Sequence, residues 1–238
     1  MLGELLFDIY SIISSVMFAY GANFYYLIYR STRNATKPLP RSHLDLPRVT
    51  IQLPIYNERY VAKRLIESAC QIDYPHSKLE VQVLDDSTDD TVGICRETVQ
   101  FSSVQQYHEK GINLVYIHRD KRTGFKAGAL KEGLKTAKGD FVAIFDADFI
   151  PPPDFLLTTL PYFSSKEVGM VQTRWSHLNE DYSTLTKAQA LSLDAHFLIE
   201  QKAKSYSELF MNFNGTAGVW RKNCIRRGRM GRHTGRGP

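Results

Sequence analysis

The chain has 238 residues, 43% of them hydrophobic and 12% aromatic, which suits one substantial folded core and excludes a disordered or low-complexity polymer. The formal charge of +5 sits entirely at the end, in Arg226, Arg227, Arg229, Arg232 and Arg236, and residues 1–225 carry equal numbers of basic and acidic groups. A balanced body without a run of Lys and Arg excludes a phosphate-tracking nucleic-acid surface on the folded part. Three cysteines, Cys70, Cys95 and Cys224, lack CxxC or metal-ligand spacing, which argues against a disulfide framework and points to a reducing compartment.

Residues 9–29, IYSIISSVMFAYGANFYYLIY, carry no charge and are long enough at a helical rise to cross a bilayer. Tyr25, Tyr26 and Tyr29 gather at one end, where aromatic rings favour the headgroup layer. A transmembrane helix is therefore expected within residues 1–30. A cleaved signal peptide fits poorly, because Glu4 and Asp8 precede the segment where positive charge belongs. A buried amphipathic helix is the other reading. Arg30, Arg33, Lys37 and Arg41 follow the segment, and this asymmetry places the rest of the chain in the cytoplasm. Residues 31–48, with three prolines, read as a linker.

From Val49 short β-branched runs alternate with amphipathic stretches. Strands are predicted at 49–56, 79–85, 112–118, 141–147 and 168–175, and helices near 59–72, 90–107, 126–137 and 153–165. This alternation predicts an α/β fold with a mostly parallel sheet flanked by helices. A longer helix over about 184–206 precedes a strand-like NFNGTAGVWR.

In an open parallel sheet the ligand crevice lies beyond the carboxyl ends of the strands. Here those ends read IYNE, DDSTDD, HRDKRTGFKAG and DAD. Neighbouring carboxylates repel one another unless a cation or a hydrogen-bonding ligand sits among them. Asp146 and Asp148, two residues apart after the apolar FVAIF, can share one hard divalent ion, Mg²⁺ or Mn²⁺, with a substrate phosphate completing its shell. Asp alone before IPPP also suits a plain turn. Asp85 and Asp86 end the second strand, and Ser87, Thr88 and Asp89 are good caps for the helix that follows. GFKAGAL at 124–130 opens a helix and offers Lys126 to a phosphate, without P-loop spacing.

Taken together and in this order, LPIYNE, VLDDSTDDT, HRDKRTGFKAGAL, IFDADFIP, VQTRWSHLNEDYS and FNGTAGVWR resemble the family 2 glycosyltransferases of the cellulose synthase superfamily. Within it they resemble most the cellulose-synthase-like glucomannan 4-β-mannosyltransferases and their prokaryotic relatives. The resemblance covers residues 49–222 and implies a GT-A fold over 49–223, inverting transfer of a hexose from UDP-glucose or GDP-mannose, a divalent metal, and a membrane-bound enzyme working on the cytoplasmic face. It assigns Pro54, Tyr56, Glu58, Asp85, Asp86, Lys126 and Asp146 to the nucleotide sugar, and Asp146 and Asp148 to the metal. Gln172, Trp175, Asn214, Gly215 and Thr216 fall to the acceptor side. The expected acceptor is a β-glycan; a ceramide, diacylglycerol or polyprenyl phosphate acceptor is the alternative within the same fold. Nucleic-acid binding through the arginine-rich tail is the non-enzymatic alternative.

The family's Thr-Glu-Asp motif, which supplies the base that an inverting transfer needs, and its later Gln-x-x-Arg-Trp motif do not occur in the 238 residues. The chain is therefore expected to be an N-terminal fragment without its catalytic base, impaired in transfer. The tail IRRGRMGRHTGRGP suggests why. Met230 must be encoded ATG and Gly231 GGN, so a reading frame one base later forces a tryptophan there, and the following codons permit Thr, Leu, Ala, Glu and Asp in order. The basic stretch 224–238 is accordingly expected to be a frameshifted, disordered reading of the missing motif. Resequencing the genomic DNA from codon 210 onward checks this: a one-base correction should restore Glu-Asp, then Gln-x-x-Arg-Trp and further membrane helices. A confirmed stop after Pro238 with nothing family-like downstream would sink it.

Overall fold

The structure is a computed structural model that describes residues 2–33, 45–101, 107, 109, 111–207, 209 and 211–226. Most of the expected linker and the arginine-rich tail beyond Arg226, with its expected disorder, lie outside these residues. The chain forms two compact units. Of the described residues, those from 45 to 174 and from 212 to 226 form one, and those from 2 to 33 together with those from 175 to 211 form the other. The longer predicted helix thus groups with the N-terminal segment and not with the sheet.

The sheet unit contains β1 (Val49–Ile55), β2 (Leu79–Asp85), β3 (Asn113–His118), β4 (Phe141–Ile144), β5 (Met170–Gln172) and β6 (Gly218–Arg221), in the order β3-β2-β1-β4-β6-β5. β1 pairs in parallel with β2 and β4, and β2 with β3. The sheet is mostly parallel, as predicted; β6 runs antiparallel to both β4 and β5 and fills the place between them. No helix separates it from β5 within this unit, so it is free of the parallel crossover that the earlier strands require.

The side-chain period of two divides β1 cleanly. Val49, Ile51, Leu53 and Ile55 enter a large apolar core with Val81, Val83, Phe145 and the helix α2 (Ala62–Cys70). α2 buries Ala62, Leu65, Ile66, Ala69 and Cys70, a stripe at helical spacing. Burial pushes the thiols of Cys70 and Cys95 up to about 12, so both pack as neutral groups. The opposite face of β1 carries Thr50 and Gln52. Each is matched in register by a polar partner on β2: Thr50 Oγ1 donates to Glu80 Oε2 at 2.6 Å and Gln52 Nε2 to Gln82 Oε1 at 3.0 Å. Buried polar groups paired this way avoid the desolvation penalty of an unmade bond.

α3 (Thr91–Phe101) packs beside α2, and α4 (Phe125–Thr136) lies on β1 and β2. Beyond β4 come the short α5 (Phe155–Thr159) and a 3₁₀ turn at Leu160–Ser164. In the other unit, α1 (Leu2–Arg33) is long and apolar enough to cross a membrane. It packs against a π-helical turn at His196–Gln201 and α7 (Lys202–Tyr206), which continue α6 (Thr184–Ala195), and Arg30 Nε donates to Ser207 Oγ at 2.9 Å. The predicted 184–206 helix is therefore present but widened at its middle. Its start is a reciprocal cap between Ser183 and Thr186.

At Gly133 α4 lies close against the sheet. A Cβ there would lie 2.6 Å from Gln52 Nε2, 2.7 Å from Gln82 Oε1 and 2.8 Å from Leu84 Cδ2. Gly-to-Ala in an exposed helix interior stabilises by about 1 kcal/mol. Here the sign should reverse, with Gly133→Ala destabilising by about 1–3 kcal/mol through overpacking, a change read directly from the denaturation midpoint.

Candidate active site

The pairing of β1 with β4 ends at Gln52↔Ile144, whereas its pairing with β2 continues to Ile55↔Asp85. Past that point the two strands part, and their carboxyl ends open a crevice where the winding of the sheet reverses, the usual ligand position in such folds. Pro54 stands just past the last β1–β4 pair, where its missing N–H costs no ladder bond on that side. The cleft has a volume of about 360 Å³ and is lined by Pro54, Ile55, Tyr56, Glu58, Asp86, Arg122, Lys126, Ala129, Asp146, Ala147 and Asp148. It thus brings together Pro54, Tyr56, Glu58, Asp86, Lys126, Asp146 and Asp148 of the residues singled out in the sequence.

The two carboxylates of DAD arrive differently from expectation. β4 stops at Ile144, and a turn closed by Phe149 N–H donating to Asp146 O at 3.0 Å carries Asp146 and Asp148 to the cleft. Phe145 anchors that turn, fully buried and packed against Phe155 and Phe149 with ring centroids 4.7 and 5.4 Å away. Asp146 N–H donates to Thr216 Oγ1 at 2.9 Å, and Lys126 forms an ion pair with the Asp146 carboxylate while donating to Gly215 O at 2.9 Å. Gly215 and Thr216 therefore buttress the DAD turn and the lysine.

Asp86 is held by Arg119 through two bonds, 2.6 Å from Nε and 2.5 Å from Nη2, and this hydrogen bonding raises the already high pKa of the guanidinium. The same guanidinium donates to Thr123 O and Phe125 O, each at 3.1 Å. One arginine thus ties the end of β2 to the turn that starts α4. That turn uses left-handed backbone at Gly124 (φ 74°) and Phe125 (φ 51°). Glycine at 128 lets it close, since a Cβ there would lie 2.0 Å from Thr123 O. Arg122 places its guanidinium 3.4 Å from the centroid of the Tyr56 ring. Neither Arg119 nor Arg122 was assigned a role from the sequence, although both lie within HRDKRTGFKAG.

Two of the predicted site residues, Asp85 and Gln172, do not line the cleft. Asp85 is fully buried and does not line the cleft. Its carboxylate accepts from Tyr116 OH at 2.7 Å and from Ser87 N–H at 2.9 Å, and His118 Nδ1 lies 3.4 Å away. Burial, with the bond to Asp85 second, pushes the Tyr116 phenol well up. The structure thus gives Asp85 the task of shaping the loop after β2, leaving Asp86 to face the cleft. Ser87 passes that order on, since its Oγ accepts from Asn57 N–H at 2.9 Å, and Asn57 Oδ1 accepts from Thr88 N–H at 2.9 Å. Asp89 accepts from Thr91 N–H at 3.0 Å at the start of α3, the expected capping role.

Gln172, expected toward an acceptor, is buried with its amide engaged. Nε2 donates to Thr216 O and Ala217 O at 3.0 and 3.1 Å, and Oε1 accepts from Asn214 N–H at 3.1 Å. It braces the Asn214–Ala217 turn. Trp175 belongs to the other unit, where it packs edge-on against His177 and Phe197 at 5.9 and 5.8 Å.

A mostly parallel sheet with carboxylates and a lysine gathered where β1 and β4 part defines the GT-A class of nucleotide-sugar transferase folds. Residues 50–228 match the model of glycosyl transferase family 2, and the chain belongs to that family. It is 46% identical over 189 residues to the probable glucomannan 4-β-mannosyltransferase 4 of Oryza sativa subsp. japonica, covering 78% of this chain and 34% of the relative. Glucomannan 4-β-mannosyltransferase 2 of Arabidopsis thaliana is 46% identical over 185 residues, covering 76% and 34%. The chain thus spans about a third of the length of these relatives. Among solved structures, mannosyltransferase PcManGT from Pyrobaculum calidifontis, in complex with GDP-Man and Mn²⁺, superposes with a TM-score of 0.70 at 25% identity, over 92% of this chain and 56% of that one.

Arg119→Lys tests the bidentate tie. It keeps the charge and loses the fork, so stability should fall by about 2 kcal/mol, with the loss measured by urea unfolding and suppressed in a double variant that also carries Asp86→Asn. Equal losses in both backgrounds would mean that Arg119 acts through packing alone.

Proposed function

We propose that this chain carries the donor-binding part of a divalent-metal-dependent, inverting mannosyltransferase that takes its sugar from GDP-mannose and delivers it to a β-linked glycan. The observation that carries the reading is the gathering of Asp146, Asp148, Lys126, Asp86, Glu58 and Tyr56 on one cleft. Mannose and GDP are favoured by the glucomannan mannosyltransferase relatives and by the GDP-Man complex of PcManGT. The relatives' names likewise favour a glycan over a lipid acceptor.

The donor set suits Mg²⁺ or Mn²⁺. Asp146 and Asp148 offer hard oxygen ligands, and among the described residues no group of three or more His, Cys, Asp and Glu is arranged to hold a metal ion by itself. A site with one or two carboxylates, completed by phosphate and water, is the habit of these ions and not of zinc. Bound there, the metal would neutralise charge growing on the leaving diphosphate. The chain's own groups do the rest of the binding. Tyr56 offers a ring face to the base, Asp86 an acceptor held in place by Arg119, and Lys126 an ammonium at the first turn of α4 toward phosphate. Asn214, Gly215 and Thr216 form the acceptor side. The helix α1 would anchor the protein in a membrane with the sheet unit on the cytoplasmic side, as the tyrosines and arginines at its end suggest.

Calorimetric titration of the detergent-solubilised chain tests the reading. GDP should bind in the presence of Mn²⁺ and more tightly than UDP. Asp148→Ala should weaken the Mn²⁺-dependent part by roughly tenfold or more, about 1.4 kcal/mol per decade. Equal binding by the wild type and the variant would remove Asp148 from the metal, and tighter binding of UDP would overturn the donor.

A further inference from the structure

Lys126 sits among partners that do not suit a purely structural ion pair. Its ammonium has three donors. One meets Asp146 Oδ1 and one meets Gly215 O at 2.9 Å, while the side chain also lines the cleft. Both members of the pair are partly open to solvent, at 37% for the Lys126 side chain and 35% for Asp146. A pair this exposed is held weakly and exchanges partners readily. Gly215, at φ 87°, turns its carbonyl to the ammonium, and a Cβ there would lie 3.4 Å from Nζ. The lysine is therefore held by one charged and one neutral acceptor, on an oxygen that a divalent ion in the cleft would also seek.

From this geometry we infer that Lys126 is an exchangeable counter-cation for Asp146. It neutralises that carboxylate until a divalent ion takes the oxygen, and the released ammonium then turns to the diphosphate that arrives with the donor. Two like charges cannot share Asp146 Oδ1 at close range without strong repulsion. Metal alone should consequently bind weakly, because it must displace the lysine. Metal with nucleoside diphosphate should bind well, because the displaced ammonium then gains a new anion. Lys126 thereby couples the two ligands and discourages the protein from loading metal without donor. The inference rests on the assignment of Asp146 to the metal made above.

The test is Mn²⁺ binding to the full detergent-solubilised chain, followed by electron paramagnetic resonance of the free ion, for the wild type, Lys126→Gln and Asp146→Asn. Removing the ammonium should tighten binding of Mn²⁺ alone by roughly three- to tenfold. The same variant should bind GDP in the presence of Mn²⁺ about tenfold more weakly than the wild type. If Lys126→Gln leaves Mn²⁺ affinity unchanged or lowers it while Asp146→Asn weakens it, the counter-cation role is wrong and the metal site stands. If Asp146→Asn has no effect, the metal assignment itself fails and takes the inference with it. A second measurement needs no variant: amine acylation of Lys126 in the wild type, read by mass spectrometry. Its reactivity should rise several-fold on adding Mn²⁺ and fall again when GDP is added with it. Reactivity indifferent to saturating Mn²⁺ overturns the proposal.

Discussion

β1 is hydrogen-bonded on both sides only as far as Gln52, and beyond that residue only β2 accompanies it. The remainder of the site depends on this unequal pairing. Because β4 stops early, Pro54, Tyr56 and Glu58 emerge beside the DAD turn instead of being covered by a neighbouring strand. The burial of Phe145 under Phe149 and Phe155 fixes where that turn leaves the core, and so fixes Asp146 and Asp148. The antiparallel β6 braces the DAD turn, since Ala217 N–H donates to Ile144 O at 2.8 Å and Thr216 Oγ1 accepts from Asp146 N–H at 2.9 Å.

The electrostatics follow from one segment. The strand ends contribute carboxylates whose mutual repulsion would open the cleft, and residues 119–126 answer them with Arg119 on Asp86 and Lys126 on Asp146. Arg122, between them, lies against Tyr56. This concentration of cations is possible because Gly124 and Phe125 adopt left-handed backbone and Gly128 allows the loop to pass close to its own helix. The carboxylates at the strand ends are therefore balanced by cations drawn from one short segment.

The buried polar pairs behind the cleft serve stability and register. A one-residue slip of β1 against β2 would separate Thr50 from Glu80 and Gln52 from Gln82, and would turn apolar residues toward α4. Asp85 belongs with these groups. It shares a motif with Asp86 and lies next to it, yet alternation along the strand end sends one carboxylate inward to Tyr116 and Ser87 and the other to the cleft.

Several parts of this were readable in the linear chain. The apolar patterns at 49–56, 59–72, 79–85 and 141–147 located elements that the structure places at Val49–Ile55, Ala62–Cys70, Leu79–Asp85 and Phe141–Ile144. The charged ends of the strands mark the crevice because parallel strands place their carboxyl ends together. Ordered motifs were enough for the family. What needed the tertiary structure was everything set by distance between remote segments. The insertion of β6 beside β4 has no local signal, since a four-residue strand reads the same in either direction. Nor does the sequence show that Gln172 braces a turn 42 residues later, or that Asp85 faces a tyrosine and not a ligand. The ion pairs of Arg119 with Asp86 and of Lys126 with Asp146 were likewise not legible, because a charge chooses its partner by proximity, and proximity here is created by the packing of α4 on the sheet. Local propensity and hydrophobic pattern determine the elements; which polar group meets which is decided by packing alone.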